Sequence, residues 1–480
     1  DRFRAASHAF RATALPMLTG TLITCAGFIP VAFSKGMAAE FCASLFPVIA
    51  AALLLSWIVS VMVAPLLGYR FIRIKAKRAE DGSAVLYQGR FYQGFRRVLD
   101  TFLAHRWLVL GGTALVFVFS VVLLGLCRQD FFPPSLRPEI IVEMRLPEGS
   151  SIKNTDDEAQ RFAAFLDGFD SEYRNYSVYV GEGAPRFVLT LDPVLPADNY
   201  AQFVIVANDK DSREDLTAKI RAELAENFPN VRANLKFIQT GPPAAYPIML
   251  RVEGTDKEKV MALANEVADL VADDENTRDV NLDWQEKSKV MHLALDQDKL
   301  KALGLSTQAV QQTLYTELTG MKAAELYEGD RTVDIMLRLK AEDRDDLSRL
   351  EELPIYLPQT GYVPLAQVAK ISYGAENGVI WRRDLKPAVT VRADIIEGTP
   401  MDAAKKAYEA TKELREKLPA GYAVEPDGSL ADSEDSMEYL LVPVPAMIFI
   451  IMTLLIFQVR EGRAMLITLL TAPLGIIGVA

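Results

Sequence analysis

Ile140-Ile141-Val142-Glu143-Met144-Arg145-Leu146 reads as a β-strand, and Gly149-Ser150-Ser151 then starts a helical pattern over Ile152–Phe169. Outward from this pair, Tyr176–Val180 and Tyr200–Val206 are strand-like, Ser212–Asn227 is helical, and Val231–Ile238 is again a strand. The order is β-α-β-β-α-β, a split βαβ or ferredoxin-like unit. A second run repeats it: strand Pro247–Val252, helix Asp256–Ala272, strand Asp279–Trp284, then after an interruption strand Ala388–Ile395, helix Met401–Leu418 and strand Tyr422–Pro426. The interruption, Val290–Ala375, has its own helix capped by Ser306 (Ser306–Leu318) and a hairpin-like pair, Met321–Tyr327 and Thr332–Leu339. The repeat is one of element order, without sequence identity between the copies.

On either side the character of the chain changes. Ala12–Phe33, Phe41–Tyr69, Trp107–Cys127, Tyr439–Val459 and Ala464–Ala480 contain no Asp, Glu, Lys or Arg. A helix needs about 20 apolar residues to cross a hydrocarbon core of about 30 Å, so the expectation is five membrane segments, the last cut short. Buried core helices of a soluble protein rarely run so long without a charge. Prolines such as Pro16, Pro30, Pro47, Pro65 and Pro443 fall within or near these segments, where neighbouring helices can satisfy the freed carbonyls. The first segment lacks a signal-peptide cleavage site. The chain starts and stops in such a way that an internal fragment of something longer is expected.

Lysines and arginines orient these segments. Arg70, Arg73, Lys75, Lys77, Arg78, Arg90, Arg96, Arg97 and Arg106 crowd one link, Arg2, Arg4 and Arg11 the N-terminal stub, and Arg460 and Arg463 the turn before the last segment. These stretches alternate with the other loops and are placed in the cytoplasm. Within the link, Phe91, Phe95, Val98 and Phe102 recur at helical spacing opposite Arg90, Arg96 and Arg97, as in an amphipathic helix on the membrane surface or packed against the membrane domain. The long loop Arg128–Glu438 then lies outside.

The net charge of −11 over 480 residues conceals this division. The outside loop holds 37 Lys+Arg against 57 Asp+Glu, a charge of −20, and the remainder carries +9. That balance does not suit a cationic nucleic-acid binder, so no nucleic-acid partner is expected. Cys25, Cys42 and Cys127 all lie in apolar segments, which leaves the outside loop free of thiols. No CxxC is present, His8, His105 and His292 show no ligand spacing, and no Ser/His/Asp, Cys/His or P-loop pattern appears. Neither enzyme chemistry nor a cofactor or bound metal is expected.

Further local matches make the layout specific: Thr21-Leu-Ile-Thr24 leading to Phe28-Ile-Pro30, Leu146-Pro-Glu-Gly149, Leu295-Asp-Gln-Asp-Lys-Leu-Lys-Ala-Leu-Gly-Leu305, Pro364-Leu365, Gly398-Thr399-Pro400 and Ala472-Pro-Leu-Gly-Ile-Ile-Gly-Val479. With two membrane helices, a basic link, one helix, about 310 outside residues and more helices, the chain resembles the central-to-C-terminal part of a permease of the resistance–nodulation–cell division (RND) superfamily. Within it, the hydrophobe/amphiphile efflux branch, acriflavine resistance B-like, fits best. The resemblance implies an α+β membrane protein: a transmembrane helix bundle carrying periplasmic α/β-sandwich porter subdomains of ferredoxin-like β-α-β-β-α-β order, with an inserted docking subdomain. The implied divisions are two transmembrane helices in 1–69, the basic link 70–106 and a helix in 107–127. A first porter subdomain over 134–244 follows, then a second split between 245–289 and 376–430 around the docking subdomain 290–375, and two helices in 439–480.

It further implies an inner-membrane, proton-driven drug efflux permease subunit, acting as a homotrimer with a periplasmic adaptor protein and an outer-membrane channel. Such a permease, an antiporter conferring multidrug resistance, expels hydrophobic and amphiphilic compounds from periplasm or membrane. Its proton relay belongs to helices outside this chain, which agrees with the absence of acids and bases from the five apolar segments. By the same resemblance, Ile141, Tyr179, Phe187 and Phe203 are the substrate-binding candidates, and Gly181-Glu182-Gly183-Ala184-Pro185-Arg186-Phe187 falls at the family's switch loop, with Gly181, Gly183, Pro185 and Arg186 shaping it. Adaptable aromatic surface suits varied apolar drugs, although Tyr179 and Phe203 equally suit a porter core. The loop has fewer phenylalanines than the better-known members. Alternatives are a metal exporter, for which Met144, Met249, Met291, Met321 and Met336 form no cluster, a lipid or protein exporter, and a non-transporting membrane-anchored periplasmic scaffold.

Overall fold

The computed structural model describes residues 2–71, 89–126, 135–241, 244–344, 346–357 and 361–479. Cys127 and the basic residues Arg73, Lys75, Lys77 and Arg78 lie outside the described residues. Helices α1 (Arg2–Gly27), α2 (Ile29–Phe33), α3 (Met37–Cys42), α4 (Leu45–Phe71), α5 (Arg90–Ala104) and α6 (Arg106–Leu126) precede the first strand. Among the described residues, three stretches, Leu45–Phe71, Arg106–Leu126 and Gly428–Val459, are long and apolar enough to cross a membrane. The expected first segment, Ala12–Phe33, is not continuous: it breaks between α1 and α2, immediately ahead of Pro30. The proline ring clashes with the preceding turn and removes a backbone donor there. Across the helices, Thr19 donates to the Gln458 side chain at 3.1 Å and Trp57 Nε1 to the Ala14 carbonyl at 3.0 Å. The apolar face of α5 is exposed, with Phe91, Phe95, Val98 and Phe102 along it.

The first α/β unit is built from β1 (Glu139–Arg145), α7 (Ile152–Leu166), β2 (Tyr173–Val180), β3 (Tyr200–Ala207), α8 (Lys210–Asn227) and β4 (Arg232–Phe237). Its antiparallel sheet runs β2-β3-β1-β4. Strand alternation puts Ile140, Val142, Met144, Phe203 and Ile205 under α7 and α8, where they form the core with Phe162, Leu166, Leu216 and Ile220. The opposite face carries Glu143, Arg145, Tyr200, Gln202, Arg232, Asn234 and Lys236. Side-chain caps fix both helix starts: Ser151 accepts from the Asn154 amide and Asp209 from that of Ser212.

The second unit has β5 (Ile248–Glu253), α9 (Lys257–Ala272) and β6 (Thr277–Leu282) before the insert. That insert comprises β7 (Lys287–Leu295), α10 (Gln297–Ala302), α11 (Thr307–Leu314), β8 (Met321–Glu328), β9 (Arg331–Leu337), α12 (Ala341–Arg344), β10 (Pro354–Tyr356), β11 (Tyr362–Pro364), α13 (Leu365–Val368) and β12 (Ala369–Asn377). The unit resumes with β13 (Arg382–Arg383), β14 (Lys386–Ile395), α14 (Pro400–Ala410), α15 (Lys412–Glu416) and β15 (Ala423–Pro426). Three helices, α16 (Gly428–Leu441), α17 (Val444–Val459) and α18 (Gly462–Thr471), close the chain. Strand β14 pairs with β5 on one side and β6 on the other, and β5 also pairs with β15. Both units therefore share one strand order. Trp284, buried, donates its indole N–H to the Ala388 carbonyl at 2.8 Å and ties the two halves of the interrupted unit.

Two expected helices are shorter than their patterns. Met401–Leu418 divides at buried Thr411, whose hydroxyl bonds the Tyr408 carbonyl at 2.7 Å and so competes with the helical ladder. Ser306–Leu318 becomes α11 followed by a π-helical turn, Tyr315–Thr319, which Gly320 ends at φ +103°. The insert hangs on the antiparallel pair β7–β12 and has its own core around Leu300, Val310, Ile355 and Val368.

Candidate functional site

The helix-free faces of the two sheets border one cleft of about 500 Å³. From the first sheet come Glu143, Arg145, Tyr200, Arg232, Asn234 and Lys236; from the second, Met249, Asp283, Thr390 and Arg392. Its rim is apolar: Val194 and Leu195 on the β2–β3 connection, and Val379 and Trp381 between the insert and β14. A polar floor beneath an apolar rim holds a molecule that has both kinds of surface.

The floor is an ordered set of charges. Lys236 reaches Glu143 at 2.6 Å, and Gln202 and Asn234 both donate to the same carboxylate at 3.3 Å. Burial alone would raise the Glu143 pKa; the Lys236 charge and these hydrogen bonds outweigh it and hold the carboxyl below its ordinary range. Arg232 pairs with Glu286 at 2.6 Å and stands 3.7 Å from Asp279, joining the first sheet to the second unit. Burial raises Asp279 against the pull of Arg232, and raises Asp283 although it accepts the Thr390 amide at 2.9 Å. The phenols of Tyr200 and Tyr246 are pushed up by burial first and by neighbouring carboxylates second, so both stay protonated.

The residues singled out in the sequence divide between two places. Ile141 is buried with Ala184, Leu191 and Ile238, and Tyr179 packs against this group. Both lie beneath the β2–β3 connection. Phe187 projects from that connection, 49% exposed. Phe203 is different: its ring is fully buried on the helix-covered face, away from the cleft. The physical reason is register, since Phe203 pairs across from Val142 and Val178 and shares their face.

Gly181 adopts φ +82°, and a Cβ there would meet Ile152 Cδ1 at 2.9 Å. Gly183 lies against Val194, and a Cβ on it would be 3.1 Å from the valine Cβ. The Ala184 amide donates to Gln202 Oε1 at 2.7 Å, the Ala197 amide to the Gly181 carbonyl at 2.9 Å, and Arg186 to the Leu189 carbonyl. The loop thus folds back on itself, and its second half, Asp192–Ala197, forms the cleft wall. That half went unnoticed in the sequence, although the apolar pair between Pro193 and Pro196 is a usable signal. Arg145, Arg392, Tyr246 and Trp381 were missed as well. Alternation marks Glu143 and Arg145 as sharing a face, but only tertiary structure shows what that face meets.

Two units of one strand order, the second split by an insert, lie in the chain between long apolar helices. The chain belongs to the AcrB/AcrD/AcrF family, whose model it matches over residues 1–480. That family consists of transporters rather than enzymes. The chain is similar to the cobalt-zinc-cadmium resistance protein CzcA of Cupriavidus metallidurans, with 22% identity over 495 residues covering 100% of this chain and 46% of that protein. It is similar too to the swarming motility protein SwrC of Bacillus subtilis, with 21% identity covering 96% of this chain and 43% of that protein. A crystal structure of a heavy metal efflux pump shares the fold at a TM-score of 0.72 and 17% identity, covering 96% of this chain and 47% of that one. The chain spans about half the length of the curated relatives it matches.

Proposed function

We propose that this chain forms one half of an inner-membrane, proton-driven efflux permease and that the cleft between its two sheets binds organic amphiphiles for export. The observation that carries the reading is the cleft itself: Val194, Leu195, Val379 and Trp381 offer apolar surface above a floor of charged and phenolic groups. In this reading the two sheet units are the porter subdomains and the insert is the docking subdomain. All five apolar segments span the membrane, the region 128–438 is periplasmic, and the proton relay is carried by the other half. Ile141 and Tyr179 support the loop Gly181–Asn199, and Phe187 meets the substrate during its passage. A homotrimer working with a periplasmic adaptor and an outer-membrane channel completes the proposal.

A second reading, export of heavy-metal cations, is favoured by the names of the similar proteins. The cleft's four basic side chains are matched in number by Glu143, Glu148, Asp192 and Asp283 on the same lining, so what stands against it is Arg145 and Arg392 alone, which have no ion-pair partner among the described residues and repel a divalent cation. The test is growth of a pump-deficient strain expressing the complete protein with its adaptor and channel, challenged with amphiphiles and with cobalt, zinc and cadmium salts. Protection against amphiphiles alone is the expected result. Protection confined to the metals replaces it with the second reading.

A further inference from the structure

Two guanidinium groups in the cleft have no ion-pair partner among the described residues, while the cleft's other two basic groups are engaged. Lys236 is taken by Glu143, and Arg232 by Glu286 and Asp279. Arg145 on β1 instead lies over the Tyr200 ring, 4.8 Å from its centroid. With the Gln285 amide turned so that its nitrogen donates to Glu148 at 2.6 Å, Arg145 Nη1 donates to its oxygen at 3.0 Å. Arg392 on β14 lies over the Tyr246 ring at 5.1 Å and grips a neutral acceptor, Asn281 Oδ1, through Nε and Nη2 at 3.1 and 2.8 Å. Each sheet contributes one such arginine to the same cleft.

The acids around them offset this pair only in part: Glu286 feels the Arg145 charge, and Asp279 and Asp283 feel that of Arg392, without closing to an ion pair. Glu143 belongs to Lys236, and Glu148 accepts from Asn199 at 3.1 Å. Asp283 is bonded by the Thr390 amide, and burial holds back its ionisation. Asp192 sits on the loop at the rim. Burial lowers the Arg392 pKa, and the nearby Arg145 and Arg232 charges lower it further, although Tyr246 and Asp283 pull it up. An oxyanion entering beside the two guanidinium groups relieves this repulsion and accepts charge-assisted hydrogen bonds from the N–H groups that Asn281, Leu282 and Gln285 leave free, those of Arg392 Nη1 among them. The tyrosine faces and Asn281 hold the forks in place beforehand, which reduces the ordering cost of binding.

We infer that Arg145 and Arg392 bind the anionic headgroup (a carboxylate, sulfate or phosphate) of an amphiphile whose tail lies along Val194, Leu195, Val379 and Trp381. This rests on the amphiphile reading of the cleft and narrows it to a charge class. The experiment is isothermal titration of the complete protein in lipid nanodiscs, with empty nanodiscs as the blank, using decanoate and decyltrimethylammonium as probes of equal chain length. The expected result is preferential binding of decanoate. Arg145→Gln and Arg392→Gln each weaken decanoate about tenfold or more, leave the ammonium probe unchanged or tighter, and keep the wild-type unfolding temperature. Arg392→Lys retains charge but loses the fork, so it recovers only part of the affinity and serves as a second probe if a glutamine variant does not fold. Lys257→Gln, exposed on α9, changes neither probe. Decanoate affinity unchanged in the Arg145→Gln/Arg392→Gln double variant overturns the headgroup site, as does equal weakening of both probes, while the amphiphile cleft stands. If neither probe gives heat above the blank with the wild type, both readings fall.

Discussion

Phe203 meets Phe162 edge to face, with ring centroids 4.8 Å apart and both rings fully buried between the first sheet and α7. That contact places Phe203 in the load of the fold rather than in the path of a ligand. Phe203→Ala is expected to destabilise the unit by about 3–5 kcal/mol. Thermal unfolding of the purified protein checks this: the transition temperature drops, while the substrate range of whatever protein remains folded is unchanged. A selective change in substrate range at an unaltered transition temperature is the contrary outcome.

Phe187 offers the reverse case. Half exposed on a loop, it contributes little to stability, so Phe187→Ala is expected to shift the transition by less than about 0.5 kcal/mol. Resistance to some compounds in a broad amphiphile panel should change without loss of assembly. A flat profile across the panel rejects its role in substrate passage.

The Glu143–Lys236 pair gives stability a pH dependence of definite sign. The Glu143 carboxyl titrates lower when folded than its unfolded value of about 4.3. Its contribution is therefore fully present above that unfolded value and is lost as pH falls through the lower folded one. In Lys236→Met the charge that depressed Glu143 is gone and burial dominates, so its pKa moves up. The variant is expected to be about 3–5 kcal/mol less stable near neutral pH and to recover part of this as the pH drops. Unfolding transitions recorded between neutral pH and the carboxylate range test it; a deficit constant with pH contradicts the assignment.

Gly181→Ala probes the loop's root. The positive φ disfavours any side chain, and the new Cβ would press on Ile152 Cδ1 at 2.9 Å. The expected cost is about 1–2 kcal/mol, concentrated in the β2–β3 connection. Limited proteolysis should cut between residues 181 and 199 faster in the variant. Gly168→Ala, where a Cβ has nothing within 4 Å, serves as the control and should leave cleavage unchanged.

The repeated β-α-β-β-α-β order and most helix starts were legible in the sequence because each depends on local chemistry. Ser306 and Asp256 accept the amides of Ala309 and Lys259, as side-chain caps do. Helix interruptions at Pro30 and Thr411 depend on one ring and one hydroxyl within otherwise regular patterns, and were read through. The candidate site was less legible for a structural reason. Period-2 alternation separates the two faces of a strand but does not say which one the helices cover, and Ile141 and Phe203 are apolar on opposite faces. The cleft's own groups, Arg145 with Arg392 and Tyr200 with Tyr246, come from strands about 50 to 250 residues apart, beyond the reach of any local pattern.

The β2–β3 connection of the first unit is the folded loop; in the second unit, the equivalent connection between β6 and β14 carries the whole insert. Both therefore arise at matching corners and reach the mouth of one cleft, the first through Asp192–Ala197 and the second through Gln285, Val379 and Trp381. The pair β7–β12 then forms a stalk whose foot stands at the cleft's edge. Val379 and Trp381 follow β12 directly in the chain, so the insert's second leg leads straight into the cleft rim. Were a partner of the insert to favour one cleft geometry, reciprocity would make a ligand that selects the same geometry strengthen that partner's grip by an equal free energy.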